Sequence, residues 1–346
     1  MRMQNHFSPY EQDISDQLTA IADQLAYELP PSLRQLELSG YDRIVLTGMG
    51  SSHYATIPIE RDLVARGFPV WRIDTGSLLD FPELVTSKTL LWATSQSGMS
   101  GEIVALLDKL DGVTRPATIV GVTNDEESAL ATQADILVAL KSGSEATVSS
   151  KSYVNTLIAE YRTALALRRE DEAPLIAGIR AAMAEFARLI DDRSAVQSIV
   201  SQAFFEGGEP RVALVGIGAD GATTMTGALI LKEACKVMAE GYLSGEFRHG
   251  PMETSGPGMI TLLIGDGTDA TLQALSEELT ANGTEVVTIG PKAYVGSKQL
   301  RTTASPEIVR LIAGMLYVQH FTVLIAHAKG LVPGEFLYGR KVTVTI

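Results

Sequence analysis

The stretch Thr94-Ser95-Gln96-Ser97-Gly98-Met99-Ser100-Gly101-Glu102 follows the apolar run 89–93 and precedes a helical pattern over residues 103–110. This order predicts a strand, a hydroxyl-rich loop and the first turn of a helix. Unpaired backbone N–H groups at a helix start favour an anion, and the loop adds four hydroxyls and an amide without any lysine or arginine. Such a loop suits a small sugar phosphate better than a metal-bound nucleotide, and an ordinary Ser-rich N-cap is the open alternative.

The regions on both sides of this loop alternate between apolar runs and helical patterns. Upstream, strands are predicted over residues 41–47 and 70–73, with a helix between them that runs to about Arg66. Downstream, strands are predicted over residues 118–123 and 136–140. Alternation of this kind builds a parallel sheet with helical crossovers, so the sequence predicts an α/β protein.

The strand at 41–47 ends in Gly48-Met49-Gly50-Ser51-Ser52-His53, which imitates the start of a dinucleotide-binding fingerprint. The third glycine of that fingerprint is missing, because the bulky His53 stands where a small residue is needed. Ser51 and Ser52 are better explained as a second set of phosphate donors, or as plain N-capping residues. A nicotinamide oxidoreductase is a further functional alternative, and it depends on Gly48 and Gly50.

The chain repeats itself. Arg211-Val212-Ala213-Leu214-Val215-Gly216-Ile217-Gly218 restates Arg43-Ile44-Val45-Leu46-Thr47-Gly48-Met49-Gly50 168 positions later. Two copies of one α/β unit are therefore predicted. The second copy has its own apolar run at 259–264, but Asp266 and Asp269 follow it where the first copy has serines. Because carboxylates repel a phosphate, only the first copy is predicted to hold one.

Glu233 is the candidate for proton transfer. It lies in a helix predicted over about 222–239, with Leu229, Ile230 and Val237 on the same face. Burial raises the pKa of a carboxyl group, which would make Glu233 a general base or acid near neutrality. A salt bridge to Lys236, three residues further along the helix, is the structural alternative.

A second candidate is His249, in the loop Ser244-Gly245-Glu246-Phe247-Arg248-His249-Gly250-Pro251. A histidine in a loop bounded by glycine and proline is suited to carry protons, although a hydrogen-bonded surface histidine is the simpler explanation. His320 and His327 lie seven residues apart on one apolar helix without a third ligand in sequence reach, so no zinc site is predicted. No cofactor is predicted either.

Composition narrows the class of protein. The 346 residues are 45% hydrophobic and carry a net charge of −13. Without a cluster of lysine and arginine, a nucleic-acid surface is excluded. The single cysteine, Cys235, and a start without an apolar leader make the cytoplasm the expected location. The uncharged run 311–328 is predicted to be a buried helix and not a membrane span.

Four motifs together identify a resemblance. They are Gly48-Met49-Gly50-Ser51-Ser52, Ser95-Gln96-Ser97-Gly98-Met99-Ser100, Val148-Ser149-Ser150-Lys151, and Leu231-Lys232-Glu233 through Gly245-Glu246-Phe247-Arg248-His249-Gly250-Pro251. The chain resembles the double SIS (sugar isomerase) domain family, close to the isomerase half of glutamine:fructose-6-phosphate aminotransferase and to stand-alone amino-sugar-phosphate deaminases and deglycases. The resemblance implies two doubly wound, flavodoxin-like parallel sheets flanked by helices.

The resemblance also implies roles for residues. Glu233 would move protons between the first two sugar carbons. His249 would help to open the sugar ring and would come from the partner subunit of a homodimer. The phosphorylated sugar would be bound by Gly50, Ser51, Ser52, Ser95, Gln96, Ser97, Ser100, Ser149, Ser150 and Lys151.

Three positions depart from the synthase of this family. The lysine that forms an imine with the ketose would be Arg340, and arginine stays protonated and cannot do that chemistry. A second lysine falls at Ile230 and a glutamate at Thr226. These departures favour a substrate that already carries nitrogen at carbon one or two, or a plain aldose–ketose exchange. A sugar-phosphate-binding regulator without catalysis is the alternative from a different class.

The predicted domain organisation has five parts. N-terminal helices (1–37) precede a first SIS domain (38–165) that would bind the phosphate. A helical connection (166–206) leads to a second SIS domain (207–296). A C-terminal helix and tail (297–346) follow, and the alternating pattern at 341–346 predicts an exposed strand.

Overall fold

The computed structural model describes residues 7–112 and 114–341 of the chain, which form two compact units. The first unit comprises Thr19–Ser144, Lys151–Ala177 and a short stretch that begins at Arg340. The second unit comprises the chain up to Leu18, Glu145–Ser150 and Gly178–Gly339. The segment Glu145–Ser150 therefore belongs to the second unit, although its neighbours in sequence on both sides belong to the first.

The first unit is built on a parallel sheet of five strands within the described residues. The strands are β1 (Arg43–Gly48), β2 (Val70–Arg72), β3 (Thr89–Thr94), β4 (Thr118–Thr123) and β5 (Ile136–Ala139). Their order is β2-β1-β3-β4-β5, the flavodoxin-like order of doubly wound sheets. All five strands agree with the prediction to within two residues at each end.

The second unit repeats this arrangement. Its strands in the described part of the chain are β6 (Arg211–Gly216), β7 (Ala239–Leu243), β8 (Met259–Ile264), β9 (Glu285–Gly290) and β10 (Lys298–Arg301). They are parallel in the order β10-β9-β8-β6-β7, which is the order of the first sheet read from the other edge. The predicted duplication of one α/β unit is confirmed.

The helices flank the two sheets. They are α1 (Pro9–Ser15), α2 (Gln17–Ala26), α3 (Gly50–Tyr54), α4 (Ile57–Ala65), α5 (Thr75–Asp80), α6 (Gly101–Gly112), α7 (Ala129–Gln133), α8 (Lys151–Leu167), α9 (Ala173–Asp191), α10 (Ser194–Gly207), α11 (Gly221–Cys235), α12 (Ala270–Ala281) and α13 (Glu307–Ala328).

Two predicted segments of the second unit differ from the structure. The helix predicted over about 222–239 ends at Cys235, because Lys236 adopts the left-handed conformation with φ of 54°. The chain then enters β7, which pairs with β6. Neither β7 nor β10 was predicted, since each is an edge strand with a single fully buried residue and gives a weak periodicity.

The helices outside the sheets also differ in detail. The N-terminal helices were predicted over residues 1–37, but α2 ends at Ala26, and Ser8 begins α1 with a capping box shared with Glu11. The helical connection predicted over 166–206 contains two helices, α9 and α10, which are separated by a break after Asp191. The strand predicted at 341–346 falls almost entirely outside the described residues.

Apolar side chains cover both faces of the first sheet. Alternate strand residues such as Leu46, Trp92 and Val120 pack against α8 and α4, and the residues between them, such as Val45 and Leu91, pack against α6. Because both faces of the sheet are buried, the strands are continuous apolar runs in the sequence. In the second unit, α13 is long and apolar enough to cross a membrane, but 94% of its apolar window is buried in the protein. The predicted buried helix is confirmed.

Candidate functional site

The two serine-bearing loops of the first unit leave the sheet side by side. Gly48 at the end of β1 lies opposite Thr94 at the end of β3 in the parallel register. A Cβ atom on Gly48 would lie 2.6 Å from the carbonyl oxygen of Thr94, so only glycine permits this approach. The loops therefore share the carboxyl edge of the sheet where the strand order reverses, the usual ligand position in such folds.

The loop after β3 is ordered by its own serines. The Ser95 hydroxyl and carbonyl oxygens both accept the N–H of Gly98 at 3.1 Å, and the Ser97 hydroxyl accepts the N–H of Met99 at 3.2 Å. The carbonyl oxygen of Ser100 accepts the N–H of Val104 at 3.0 Å and so starts α6. Gly98 takes a left-handed φ of 60° with Ser128 packed against it. The predicted strand, hydroxyl loop and helix start are confirmed.

Several polar groups in these loops retain hydrogen-bonding capacity. The Ser100 hydroxyl is buried without a hydrogen-bond partner among the residues that the structure describes. Ser51, Ser52, Gln96 and Ser97 are half-buried. Such a surface can bind an anion through neutral donors, because hydroxyl and amide groups donate without bringing a cation of their own.

The residues that imitate a dinucleotide site have structural roles. His53 is buried with its Nε2 atom 2.5 Å from Nη1 of Arg72, and burial together with the Arg72 charge lowers the pKa of His53 to about 4. Asp74, the acid after β2, caps α5 by accepting the N–H of Ser77 at 2.9 Å. The acid that would have to bind a dinucleotide ribose is therefore already hydrogen-bonded as the cap of α5. The structure gives the nicotinamide alternative no support.

The matching loop of the second unit carries an acid instead of a serine. Asp220 stands at the repeat position of Ser52 and is buried, and Arg310 of α13 binds both of its carboxylate oxygens, at 2.9 and 3.0 Å. Asp266 accepts the N–H and the hydroxyl of Thr268, and Asp269 caps α12. The carboxylates of Asp220, Asp266 and Asp269 thus have hydrogen-bond partners within the second unit.

Glu233 lies on α11 of the second unit and is half-buried. Within the described residues, its carboxylate forms no ion pair and accepts no hydrogen bond. The Lys236 ammonium donates instead to the carbonyl oxygens of Glu233 and Glu335, and Lys232 pairs with Glu240 at 3.4 Å. The salt bridge weighed as the structural alternative for Glu233 is therefore not formed.

The surroundings of Glu233 bring its pKa close to neutral pH. Burial raises the pKa of Glu233 to about 7, the charges of Lys236 and Lys232 oppose the rise, and Glu145 adds to it. A carboxyl group with this pKa is present in both protonation states at neutral pH. It can therefore both take and return a proton.

The segment Glu145–Ser150 lies in the same unit as Glu233. Glu145 is buried and accepts the N–H of Ser150 at 2.9 Å and its hydroxyl at 3.0 Å, while the N–H of Ala146 donates to Asp13. Ser149 stays half-buried, and Lys151 is buried at the first turn of α8 in the first unit. Ser150 is thus held by Glu145, whereas Ser149 is partly accessible.

His249 follows a short 3₁₀ turn and its side chain is exposed. Its N–H donates to the carbonyl oxygen of Glu246, and the neighbouring Phe247 is buried against Tyr242 with ring centroids 5.2 Å apart. The loop is therefore anchored by its phenylalanine and presents its histidine to solvent. Over the described ranges 7–112 and 114–341, no three His, Cys, Asp or Glu side chains are grouped to bind a metal ion.

One buried acid was missed in the sequence. Glu160 on α8 is fully buried and accepts a hydrogen bond from the Thr94 hydroxyl at 2.6 Å. Its signal was available, since Leu157 and Ala164, three residues before it and four after it, predict an apolar helix face, as the neighbours of Glu233 do.

The comparison with protein families agrees with this geometry. Residues 208–328 match the sequence profile of the SIS domain. Residues 208–328 are therefore similar to a SIS domain. The matched region begins before β6 and ends with α13, so it contains the whole second sheet and Glu233. The resemblance to the SIS family is confirmed.

Individual relatives point the same way. Glutamine–fructose-6-phosphate aminotransferase of Clostridium perfringens is 29% identical over 331 residues, which cover 86% of this chain and 51% of the relative. The chain therefore spans about half the length of the curated relatives it matches.

Solved structures share the fold. The C-terminal domain of glucosamine-fructose-6-phosphate aminotransferase from Francisella tularensis gives a TM-score of 0.76 at 18% identity and covers 95% of this chain and 99% of that chain. Glucosamine-6-phosphate deaminase of Thermotoga maritima gives 0.72 at 18% identity and covers 97% and 99%. At these identities the likeness shows the fold alone.

Proposed function

We propose that this chain is an enzyme of the sugar-phosphate isomerase, deaminase or deglycase kind, with Glu233 as the proton-transferring base. The observation that carries the proposal is the Glu233 carboxylate, half-buried and free of any described ion pair, with a pKa near 7. A purely structural acid would be paired or fully solvated. Perturbed, unpaired acids of this kind are typical of catalytic sites.

The phosphate of the substrate would be bound by the two loops of the first unit. Gly50, Ser51 and Ser52 follow β1, and Ser95, Gln96, Ser97 and Ser100 follow β3, at neighbouring points of one sheet edge. A phosphate anchor far from the reacting carbons supplies binding energy that orients them for proton transfer.

The chemistry would be a proton shift between carbons one and two. Glu233 would remove the proton next to the carbonyl or imine carbon and return it to the adjacent carbon through an enediol or enolamine. His249 would act as the acid that opens the sugar ring, and its exposure in a single chain is compatible with donation across a homodimer interface. Ser149 would contact sugar hydroxyls, with Ser150 and Lys151 supporting its loop.

The residues around Glu233 bear on the substrate class. Ile230 and Thr226, where the resemblance places a lysine and a glutamate of the synthase, are fully buried on α11. Neither position supplies an amine, and Arg340 cannot form an imine. We therefore favour a substrate that already carries nitrogen at carbon one or two, or a plain aldose–ketose exchange.

The relatives support this proposal in part. The Thermotoga maritima structure is titled a glucosamine-6-phosphate deaminase, and the curated relative is an isomerising aminotransferase. We also infer that the first sheet, with the same strand order as the second, is a further SIS domain and forms the phosphate-binding half of the enzyme.

The deciding experiment combines a substrate panel with Glu233→Gln. Ammonia or amine release and aldose–ketose interconversion are measured over phosphorylated sugars, amino sugars and sugar–amino acid adducts. We expect turnover on at least one member, and we expect Glu233→Gln to abolish it while phosphosugar binding stays within about twofold of the unmodified chain, since the substitution removes the base without touching the phosphate loops.

The matched control is Glu240→Gln, an exposed acid seven residues further along the chain, which should keep full activity. Retained turnover in Glu233→Gln would contradict the assignment of the base. Binding without turnover on any member would favour a sugar-phosphate-binding regulator instead of an enzyme.

A further inference from the structure

A fully buried acid lies directly behind the phosphate loop of the first unit. Glu160, in the middle of α8, has no solvent exposure, and its Oε1 atom accepts the hydroxyl hydrogen of Thr94 at 2.6 Å. Its Oε2 atom is buried without a hydrogen-bond partner in the part of the chain that the structure describes. The proton-transfer chemistry proposed above makes no use of this group.

The groups that face Glu160 carry no charge. From β3 these are Thr94 and Trp92, and β4 and β5 contribute only apolar side chains to the same core, namely Val120, Val122, Ile136, Val138 and Leu140. On α8 itself, Arg162 is bound to Glu172 and to the carbonyl oxygens of Gln24 and Tyr27. His53 of α3, which packs on α8, has its ring against Arg72.

This environment keeps the carboxyl group neutral. Burial raises the pKa of Glu160 to about 8, and the hydrogen bond from Thr94 and the Trp92 side chain only partly oppose the rise. Because no charged side chain contributes, desolvation of the ionised form dominates. At neutral pH Glu160 is therefore a buried carboxylic acid and not a carboxylate.

Thr94 connects this acid to both serine loops. It is the last residue of β3, its chain neighbour Ser95 opens one loop, and its carbonyl oxygen packs against Gly48, which opens the other. We propose that Glu160 is a positioning residue for the phosphate-binding loops and acts through its hydrogen bond with the Thr94 hydroxyl. The inference rests on the proposed phosphosugar site.

Neutrality would be essential to this role. The stretch from Thr94 to Glu102 contains no lysine or arginine, so a bound phosphate would depend on hydroxyl and N–H donors. A carboxylate one residue behind those donors, in a medium of low dielectric, would repel the phosphate. Ionisation of Glu160 should therefore weaken phosphosugar binding, whereas glutamine at this position would accept the same hydrogen bond without ever ionising.

The test measures the affinity for fructose 6-phosphate from pH 7 to 9.5, with inorganic phosphate as the second probe. Over this range fructose 6-phosphate is almost entirely a dianion, so its own titration contributes little. Inorganic phosphate still gains charge near neutral pH, so its affinity is compared between the variant and the unmodified chain at each pH. We expect Glu160→Gln to match the unmodified chain at pH 7. Above about pH 8 the unmodified chain should lose affinity, by up to about tenfold per pH unit, and Glu160→Gln should not.

Two further variants separate positioning from general stability. Thr94→Val should weaken binding about fivefold, the size of one lost hydrogen bond, and should raise KM with little change in kcat. Adding Glu160→Gln to it should cost nothing more at pH 7, since Glu160→Gln alone is expected to leave affinity unchanged there. Thr163→Val, which alters a buried hydroxyl on the same helix, is the matched control and should leave affinity unchanged.

The outcomes distinguish this inference from the proposed function. The role of Glu160 would be overturned if Glu160→Gln and the unmodified chain lost affinity equally above pH 8. Unchanged binding in Thr94→Val would overturn it as well. Either result would leave the phosphosugar site in place. A chain that binds neither probe would contradict the phosphosugar site itself, and the role of Glu160 with it.

Discussion

Glu233 and Glu160 are two acids on apolar helix faces that differ in their burial and in their hydrogen-bond partners. Both have apolar neighbours at helical spacing, and in both burial raises the pKa. Glu233 is only half-buried and its carboxylate has no described partner, whereas Glu160 is sealed in the core and bound to Thr94. The first arrangement suits proton exchange with a ligand, and the second suits a fixed internal contact.

The pH dependence of catalysis should follow Glu233. As a base Glu233 must be ionised, so the acidic limb of the pH–rate profile should have its midpoint near the Glu233 pKa of about 7. Below that pH, activity should fall about tenfold per pH unit. The charge of Lys236 lowers this pKa and the charge of Glu145 raises it. Lys236→Met should therefore move the limb to higher pH, and Glu145→Gln should move it to lower pH, in pH–rate profiles of kcat/KM.

These two variants act as controls for each other. Both remove one charge from the surroundings of Glu233, so a general loss of structure would lower activity without moving the limb in opposite directions. A limb that stays in place in both variants would mean that another group sets the profile.

At the scale of elements, the phosphate loop depends on the backbone of Gly98. Its φ of 60° lies in the left-handed region, and a Cβ atom would come within 2.0 Å of the Ser128 hydroxyl oxygen and 2.6 Å of the Ser128 Cβ. Ser128 caps α7, so the loop after β3 is packed against the start of the helix that follows β4. The loop is thus positioned by tertiary contact as well as by its own serines.

We expect Gly98→Ala to lower the free energy of unfolding by more than a glycine-to-alanine substitution of equal backbone strain. Gly143, with φ of 66° and no atom within 4 Å of the position that a methyl group would take, is the matched control in the same unit. Both alanines lose about 1–2 kcal/mol to the left-handed backbone, and Gly98→Ala should lose a further 1–3 kcal/mol, roughly, to overpacking. Urea unfolding of the two variants measures the difference, and equal stabilities would show that Ser128 moves aside freely.

At the scale of the whole molecule, the two copies of the α/β unit differ in the side chains that follow their first strands. Both sheets have the same strand order, and Gly50 and Gly218 take the same left-handed turn after their first strands. The first copy has the half-buried Ser51 and Ser52 after that turn, whereas the second has Asp220 bound to Arg310. Glu233 lies in the second copy.

One phosphosugar per chain is therefore expected. Calorimetric titration with the best-bound member of the substrate panel should give a stoichiometry of one. Ser97→Ala should weaken that site about fivefold, the size of one hydrogen bond. Asp266→Asn, a matched change in the second copy, should alter neither the affinity nor the stoichiometry, and a second site that appeared or vanished with it would refute the asymmetry.

Much of the fold and of the candidate site was predictable from the sequence. The strands, the hydroxyl loop and the duplication follow from local periodicity and from a direct repeat, and the pattern of residues also indicates Glu233 and the serines as candidates. The edge strands β7 and β10 were not predictable, because they bury few side chains and their pairing depends on β6 and β9. Glu160 was overlooked because a helix pattern does not show which buried acid has a partner.

By itself the sequence determined the alternation of elements, the repeat and the chemical character of the loops, since each depends on residues that are close together in the chain. Only the tertiary structure decided that Lys236 does not pair with Glu233, that the segment Glu145–Ser150 joins the second unit, and that Thr94 is bound to Glu160. The physical reason is that burial and pairing depend on groups far apart in sequence. For Thr94 and Glu160 that separation is 66 residues, and the contact forms only once α8 packs on the sheet.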